Sequence, residues 1–206
     1  MRLKPALAIT ATILFLSTSA FTGDTIYRSK NKIDFVKLDK AKKEEKKGGL
    51  KHPYAFEAGQ VRAILGSIRF NKKGPLLKDI EDQPLFDDEN ADFLTPYLVE
   101  AFHKVGENQV VIVSYFTRDT KVVIQDDRLT IFRAFVKDDG LHLKFTKLYA
   151  KLLGDRTTKG LQRAMNEARG LGASINPQPG QNRISWDPEE LVIGLKPTES
   201  KKSQKP

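Results

Sequence analysis

Residues 110–148 read VVIVSYFTRDTKVVIQDDRLTIFRAFVKDDGLHLKFTKL and carry the strongest strand signals in the chain. Residues 110–116 form a nearly continuous run of β-branched and aromatic types, which is typical of a strand covered on both faces. Further strands are predicted at residues 122–125, 128–137 and 141–148. This stretch therefore predicts a sheet at about residues 109–148.

The links between these predicted strands are too short for a crossover helix, so the strands should pair as an antiparallel meander. Asp126-Asp127 and Asp138-Asp139-Gly140 are interpreted as hairpin turns. In the second turn, the glycine can take the positive φ that such a turn needs.

Helical spacing of apolar residues flanks this region on both sides. It predicts helices at residues 57–67, 87–94 and 96–105, and a further short helix around residues 161–168. Asp87 and Thr95 are the expected N-caps, with Pro96 at a first helical position. Helices before and after a run of antiparallel strands indicate a single α+β domain, with the helices on one face of the sheet.

Shorter elements are predicted around this core. They are strands at residues 33–38, 67–71, 183–186 and 191–195, and a loop at residues 75–86 whose apolar residues pack against the body. The apolar residues of that loop are Leu76, Leu77, Ile80, Leu85 and Phe86.

The N-terminus has the pattern of a secretory signal peptide. Arg2 and Lys4 precede an apolar run at residues 6–16, and small residues at 17–20 suggest cleavage after Ala20. The eleven-residue run is shorter than the roughly 20 residues that a membrane span requires, so no transmembrane segment is expected after cleavage. The alternative is an uncleaved segment that tethers the protein to a membrane. We expect a periplasmic or secreted protein.

The chain has 206 residues, no cysteine and a net charge of +9. Its domain must therefore be stable without disulfides. Residues 28–51 carry ten bases and four acids, and residues 196–206 carry four bases and one acid. Residues 52–195 carry nineteen bases and twenty acids, so the basicity belongs to the ends of the chain.

These features predict four parts. Residues 1–20 are a signal peptide, 21–51 a lysine-rich flexible arm, 52–195 the globular domain and 196–206 a disordered basic tail. The arm is a candidate contact region for an anionic surface or an acidic envelope protein, and the alternative is that the basic ends serve only solubility and linkage. Its candidate contact residues are Lys40, Lys42, Lys43, Lys46, Lys47 and Lys51.

Catalytic and metal-binding patterns are weak. His52, His103 and His142 are far apart in sequence, without the close pairing of a metal site. Residues 87–92 depart from the EF-hand pattern, and the other acidic pairs suit turns. Ser67, Ser114 and Ser174 lack the sequence frame of a nucleophile. No catalytic residue, metal or cofactor is therefore predicted.

The aromatic and basic residues between 128 and 137 are interpreted as packing residues, and no nucleic-acid partner is predicted. The leading hypothesis is a non-catalytic domain of the cell envelope that acts through protein or surface contacts. One alternative is a small hydrolase or metal-dependent enzyme that uses His103 or His142 with carboxylates. Another is a periplasmic small-molecule binder, with Trp186 and the aromatic hairpin lining a pocket.

Overall fold

The structure, a computed structural model, describes residues 24–72, 79–119, 126–152, 158–168, 171–185 and 187–195. The predicted signal peptide and basic tail lie outside these ranges, as do Leu76, Leu77, Trp186 and the strand predicted at residues 122–125.

The described residues form strands and helices in the following order. They are β1 (Thr25–Arg28), β2 (Phe35–Lys40), α1 (Lys43–Lys46), α2 (Ala58–Ser67), β3 (Arg69–Lys72), β4 (Ile80–Pro84), α3 (Asp88–Lys104), β5 (Gln109–Asp119), β6 (Asp126–Lys137), β7 (Gly140–Lys151), α4 (Thr158–Glu167), β8 (Ser174–Asn176), β9 (Gln181–Ile184) and β10 (Asp187–Ile193). Helix α2 closely matches the helix predicted at residues 57–67. Among the described residues, no helix is long and apolar enough to cross a membrane.

A seven-stranded antiparallel sheet forms the centre of the fold, in the order β1-β2-β5-β6-β7-β10-β9. A second, smaller sheet has the order β4-β3-β8 and shares the apolar core through Phe70 and Ile175. The predicted α+β fold and the antiparallel meander are therefore confirmed. Strand β4 falls within the segment predicted to be a loop; Leu85 and Phe86 next to it are buried, whereas Ile80 is 39% exposed.

One face of the large sheet packs against α2 and α3. Alternate residues of the central strands point to this face, because side chains along a strand alternate between its two sides. They include Val111, Val113, Phe132, Ala134 and Phe145, each at most 1% exposed. These residues share one core with Leu65 of α2 and Leu94 and Phe102 of α3.

The opposite face is covered at its two ends, so the prediction that the helices share one face is wrong. Ala164 of α4 packs with Leu129 and Ala150 near one end. At the other end, Phe135 packs beside the segment that contains α1. The central strands are apolar on both sides because each side is covered by other parts of the chain.

Of the two predicted hairpin turns, the one at Asp138-Asp139-Gly140 is present and the one at Asp126-Asp127 is not. Asp138 and Asp139 do form the turn between β6 and β7, and Gly140 has a φ of 143°. Asp126 and Asp127 instead belong to β6, because β5 continues to Asp119 and pairs with them. The connection between β5 and β6 lies within residues 120–125, outside the described residues.

Helix α3 replaces the two consecutive helices predicted at residues 87–94 and 96–105. The predicted cap at Asp87 is confirmed, since its side chain accepts a hydrogen bond from the Asn90 amide at 2.8 Å. Thr95 is no cap; its hydroxyl donates to the Ala91 carbonyl inside the helix at 2.7 Å. Pro96 is accommodated because one continuous apolar stripe on this helix packs on the sheet.

The prediction of a flexible arm at residues 21–51 is wrong for residues 24–51, which are an ordered part of the domain. Strands β1 and β2 belong to the large sheet, and β2 pairs with β5 over six residues. Ile33, Val36 and Leu38 are each at most 1% exposed. Residue 52 therefore marks no boundary between an arm and a domain. The average composition of this segment is polar, but its few apolar residues are placed to enter the core.

Candidate functional site

A buried ion pair between Arg133 of β6 and Glu45 of α1 holds the lysine-rich segment on the sheet. Arg133 is 6% exposed and Glu45 is 2% exposed. The guanidinium donates through Nε to Glu45 Oε1 and through Nη2 to Oε2, the latter at 3.0 Å. Nη2 also donates to the Lys40 carbonyl at 2.9 Å, and Nη1 lies 3.4 Å from Asp39 Oδ2. One side chain thus joins β6 to both α1 and the end of β2.

The two charged groups satisfy each other in this buried position. Burial alone lowers the pKa of Arg133, but the hydrogen bond and charge of Glu45 raise it above its usual value, and Asp39 adds to this. The Glu45 carboxylate also accepts from the Lys42 amide at 2.6 Å. A short helix that buries little apolar surface is therefore fixed in place by charge-assisted hydrogen bonds.

Backbone hydrogen bonds continue the attachment beyond α1. Gly48 and Gly49 both have positive φ, 89° and 81°, and turn the chain back toward the sheet. The Lys51 amide then donates to the Val136 carbonyl at 2.9 Å, and the Tyr54 amide donates to the Phe102 carbonyl at 3.0 Å. The segment is therefore anchored at both of its ends.

His52 is a structural residue in this attachment. Its ring is 7% exposed and lies between two backbone groups. Nδ1 contacts the Gln109 carbonyl at 2.9 Å, and Nε2 accepts from the Val136 amide at 2.9 Å. Because Nε2 must accept, the ring is neutral and carries its proton on Nδ1. Burial lowers the pKa of His52, although its backbone hydrogen bonds oppose this.

The six candidate lysines are displayed on this ordered segment. We call Lys40, Lys42, Lys43, Lys46, Lys47 and Lys51 the lysine platform; all are exposed except Lys46, which is half-buried. Residues 40–51 contain these six lysines and two glutamates. Because Glu45 is paired with Arg133, it does not offset the charge at the surface. The platform is therefore strongly cationic and has a defined backbone.

An open groove of about 590 Å³ lies beside the platform. Its lining residues are Lys46, Gly49, Leu50, Lys51, His52, Pro53, Tyr54, Glu107 and Asn108. Two platform lysines thus face the same concavity as an aliphatic, a proline and an aromatic side chain. The sequence identified these lysines but did not indicate the groove, because Glu107 and Asn108 come from a distant part of the chain.

His142 lies in a second polar cluster, on the face of the sheet away from α2 and α3. Its Nδ1 is 2.6 Å from Glu190 Oε1, its Nε2 is 2.8 Å from Asp139 Oδ1, and its ring stacks on Phe135. Both ring nitrogens therefore face carboxylate oxygens. Burial alone raises the pKa of Asp139, but the hydrogen bond and charge of His142 lower it overall.

The three histidines do not converge on one site. His103 is exposed on α3, whereas His142 is 2% exposed and points away from α3, and His52 is held by backbone groups. Over the part of the chain that the structure describes, no group of three or more histidine or acidic side chains is placed to hold a metal ion. His142 does contact two carboxylates, but its ring is 2% exposed and the exposed His103 is not part of this cluster.

The aromatic hairpin, which the small-molecule alternative places around a pocket, is mainly packed in the described part of the chain. The apolar cavity between α2, α3 and the sheet has a volume of only about 20 Å³, room for about one water molecule. Phe132 and Phe135 are at most 1% exposed, so the aromatic hairpin contributes to packing. Trp186, the other proposed lining residue, lies outside the described residues.

The candidate serines are not placed as nucleophiles. Ser114 is completely buried inside β5, and the Ser67 hydroxyl donates to the Ile64 carbonyl at 2.7 Å. Ser174 is exposed at the start of the short strand β8, where its hydroxyl faces the Asn71 carbonyl at 3.5 Å.

We expect Arg133→Leu to destabilise the protein and to release the lysine-rich segment, because it leaves Glu45 as a buried charge without its partner. The expected loss in the free energy of unfolding is up to about 3–5 kcal/mol. Urea denaturation measures this loss, and faster tryptic cleavage after the platform lysines reports the release.

Two variants control this experiment. Arg62→Leu removes an exposed pair with Asp88 and Asp92 and should cost much less. The double variant Arg133→Leu/Glu45→Leu removes both charges and should recover much of the lost stability. Arg133→Leu with unchanged stability and unchanged cleavage would contradict the role given to this ion pair.

Comparison of the chain with protein-family models, curated proteins and solved structures finds no match.

Proposed function

We propose that this protein is a non-catalytic domain of the cell envelope that binds an anionic partner through the lysine platform. The observation that carries the proposal is the fixed display of six lysines beside a nearly neutral body. A disordered basic arm would have to lose conformational entropy on binding, but an anchored segment has already lost it in folding. The Arg133–Glu45 pair thus prepares the surface for its partner.

The charge of the platform supports electrostatic recognition. Exposed lysines attract an anionic surface over about a Debye length, roughly 8 Å at physiological salt. Nearby acids reduce this field only in part. Glu45 is paired with the buried Arg133, so the exposed Glu44 and Asp138, which pairs with Lys51 at 3.0 Å, are left to offset the six lysines. Because the outer lysines point to solvent, binding should be fast and sensitive to salt.

The location in the envelope is part of the proposal and is supported by the N-terminal sequence. Residues 2–20 combine a basic start, an apolar run and small residues, as in a secretory signal. The intact mass of the protein recovered from an exporting bacterial host tests this point. We expect a chain that begins at Phe21; a full-length chain would instead support the membrane-tethered alternative.

We expect Lys40→Gln/Lys43→Gln/Lys47→Gln to weaken binding to a generic polyanion. The measurement is the salt concentration that elutes the purified protein from immobilised heparin. Loss of three exposed platform charges removes favourable contacts and lowers the salt needed for elution.

The matched control is Lys30→Gln/Lys151→Gln/Lys159→Gln, which removes the same charge from exposed positions outside the platform. The control should elute at clearly higher salt than the platform variant. Equal elution of the two variants would show that only net charge matters. That result, or failure of the unaltered protein to bind, would overturn the proposed function.

A further inference from the structure

The groove beside the lysine platform combines two chemistries in one concavity. Lys46 and Lys51 supply positive charge, while Leu50, Pro53 and Tyr54 supply apolar surface. Its volume of about 590 Å³ falls within the roughly 300–1,000 Å³ of ordinary binding pockets. The groove is therefore large enough to receive one or two side chains of a partner.

The ion pair on the charged side of the groove can be exchanged for one with a partner. Lys51 is paired with Asp138 at 3.0 Å, but the two side chains are 53% and 77% exposed. Exposed pairs of this kind contribute little to stability, so a partner carboxylate can replace Asp138 at low cost. Glu107 is the acid that lines the groove, and it is outnumbered there by the two lysines.

The apolar side of the groove is suited to contact with a partner. Tyr54 is half-buried, and its ring packs against Phe56 with a centroid distance of 4.5 Å. Tyrosine supplies a large contact area with few rotatable bonds and is enriched at protein interfaces. Leu50 is also half-buried, and Pro53 is exposed. An apolar side chain that enters here would displace water from all three.

The walls of the groove are fixed before any partner arrives. The amides of Lys51 and Tyr54 are bonded to the carbonyls of Val136 and Phe102, and both ring nitrogens of His52 are engaged. A partner therefore does not have to order this part of the chain, which favours binding.

These features match an extended polypeptide better than a bilayer or a uniform polyanion. Side chains two positions apart in an extended chain point to the same side, so one apolar side chain can enter the groove while the acids two residues before and after it reach the lysines. A planar lipid surface would instead meet the outer lysines, Lys40, Lys43 and Lys47. A uniform polyanion would leave the apolar surface of Tyr54 unused.

We infer that the groove binds an acidic polypeptide segment that carries an apolar side chain. This inference rests on the proposed function, because it names the partner class of the lysine platform. Acidic side chains of the segment pair with Lys46 and Lys51, and the apolar side chain packs between Leu50, Pro53 and Tyr54.

Fluorescence anisotropy with two labelled heptapeptides tests the inference. Both consist of glutamates, with phenylalanine at the centre of one and serine at the centre of the other. We expect the phenylalanine peptide to bind about fivefold to tenfold more tightly, because its ring is buried in the groove. Tyr54→Ala should remove most of this difference, with urea denaturation confirming that the variant remains folded.

Paired lysine variants locate the contact. Lys46→Gln/Lys51→Gln should weaken binding of the phenylalanine peptide by about tenfold, since two charge-assisted contacts are lost. Lys40→Gln/Lys43→Gln removes the same charge outside the groove and should weaken it by no more than about threefold.

Three outcomes would overturn the inference. They are equal affinity for the two peptides, equal losses in the two lysine variants, and binding to vesicles of anionic phosphatidylglycerol without binding to either peptide. The heparin experiment separates these outcomes from failure of the proposed function. If the variant Lys40→Gln/Lys43→Gln/Lys47→Gln still elutes at lower salt than its control, the proposed function holds although the inference about the groove fails. If the platform variant and its control also elute from heparin at equal salt, both the proposed function and the inference about the groove fail.

Discussion

The contact between the Arg133 guanidinium and the Glu45 carboxylate determines how the lysine-rich segment is arranged. Both groups are buried, and Arg133 also binds the Lys40 carbonyl at the end of β2. Buried ion pairs often add little net stability compared with apolar residues of similar size. Their geometry is nevertheless demanding, because a planar guanidinium satisfies a carboxylate in few orientations. We therefore interpret the pair chiefly as a device that fixes the position of α1.

Further charged pairs extend across the same face of the sheet. Lys144 of β7 lies 2.5 Å from Asp187 of β10, and His142 contacts Glu190 on the same two strands. Burial alone lowers the pKa of Lys144, but its hydrogen bond and charge interaction with Asp187 raise it overall. This face thus joins neighbouring strands through opposite charges, while the other face packs apolar side chains against α2 and α3. The charged face therefore combines apolar clusters with paired charges, and one of these pairs holds the cationic segment.

The parts of the fold that were predicted correctly depend on local sequence. The meander from β5 to β7 follows from apolar runs with short connections, and α2 follows from its helical spacing. The prediction that Thr95-Pro96 begins a second helix was wrong, because the packing of one long helix outweighs the local cap signal. The hairpin turn predicted at Asp126-Asp127 was wrong, because aspartates that suit a turn can also occupy the end of a strand.

The ordered lysine segment could not be recognised from composition. Averaged over residues 21–51, polarity and charge resemble those of a disordered chain. Order arises from Ile33, Val36 and Leu38 entering the core, and from Glu45 meeting an arginine 88 positions further along the chain. One signal was present: Arg133 interrupts the otherwise apolar run at residues 131–136, between the core residues Phe132 and Ala134, where a charge needs a partner. That position indicates a buried pair but does not identify Glu45.

The lysine platform is built on an ordered backbone. Hydrogen–deuterium exchange of the backbone amides in residues 40–51 of the unaltered protein measures this directly. We expect slow exchange at Ala41, Lys42 and Lys51, because their amides donate to the Asn108 carbonyl, the Glu45 carboxylate and the Val136 carbonyl. Exchange of all three amides at the rates of an unfolded peptide would contradict the account.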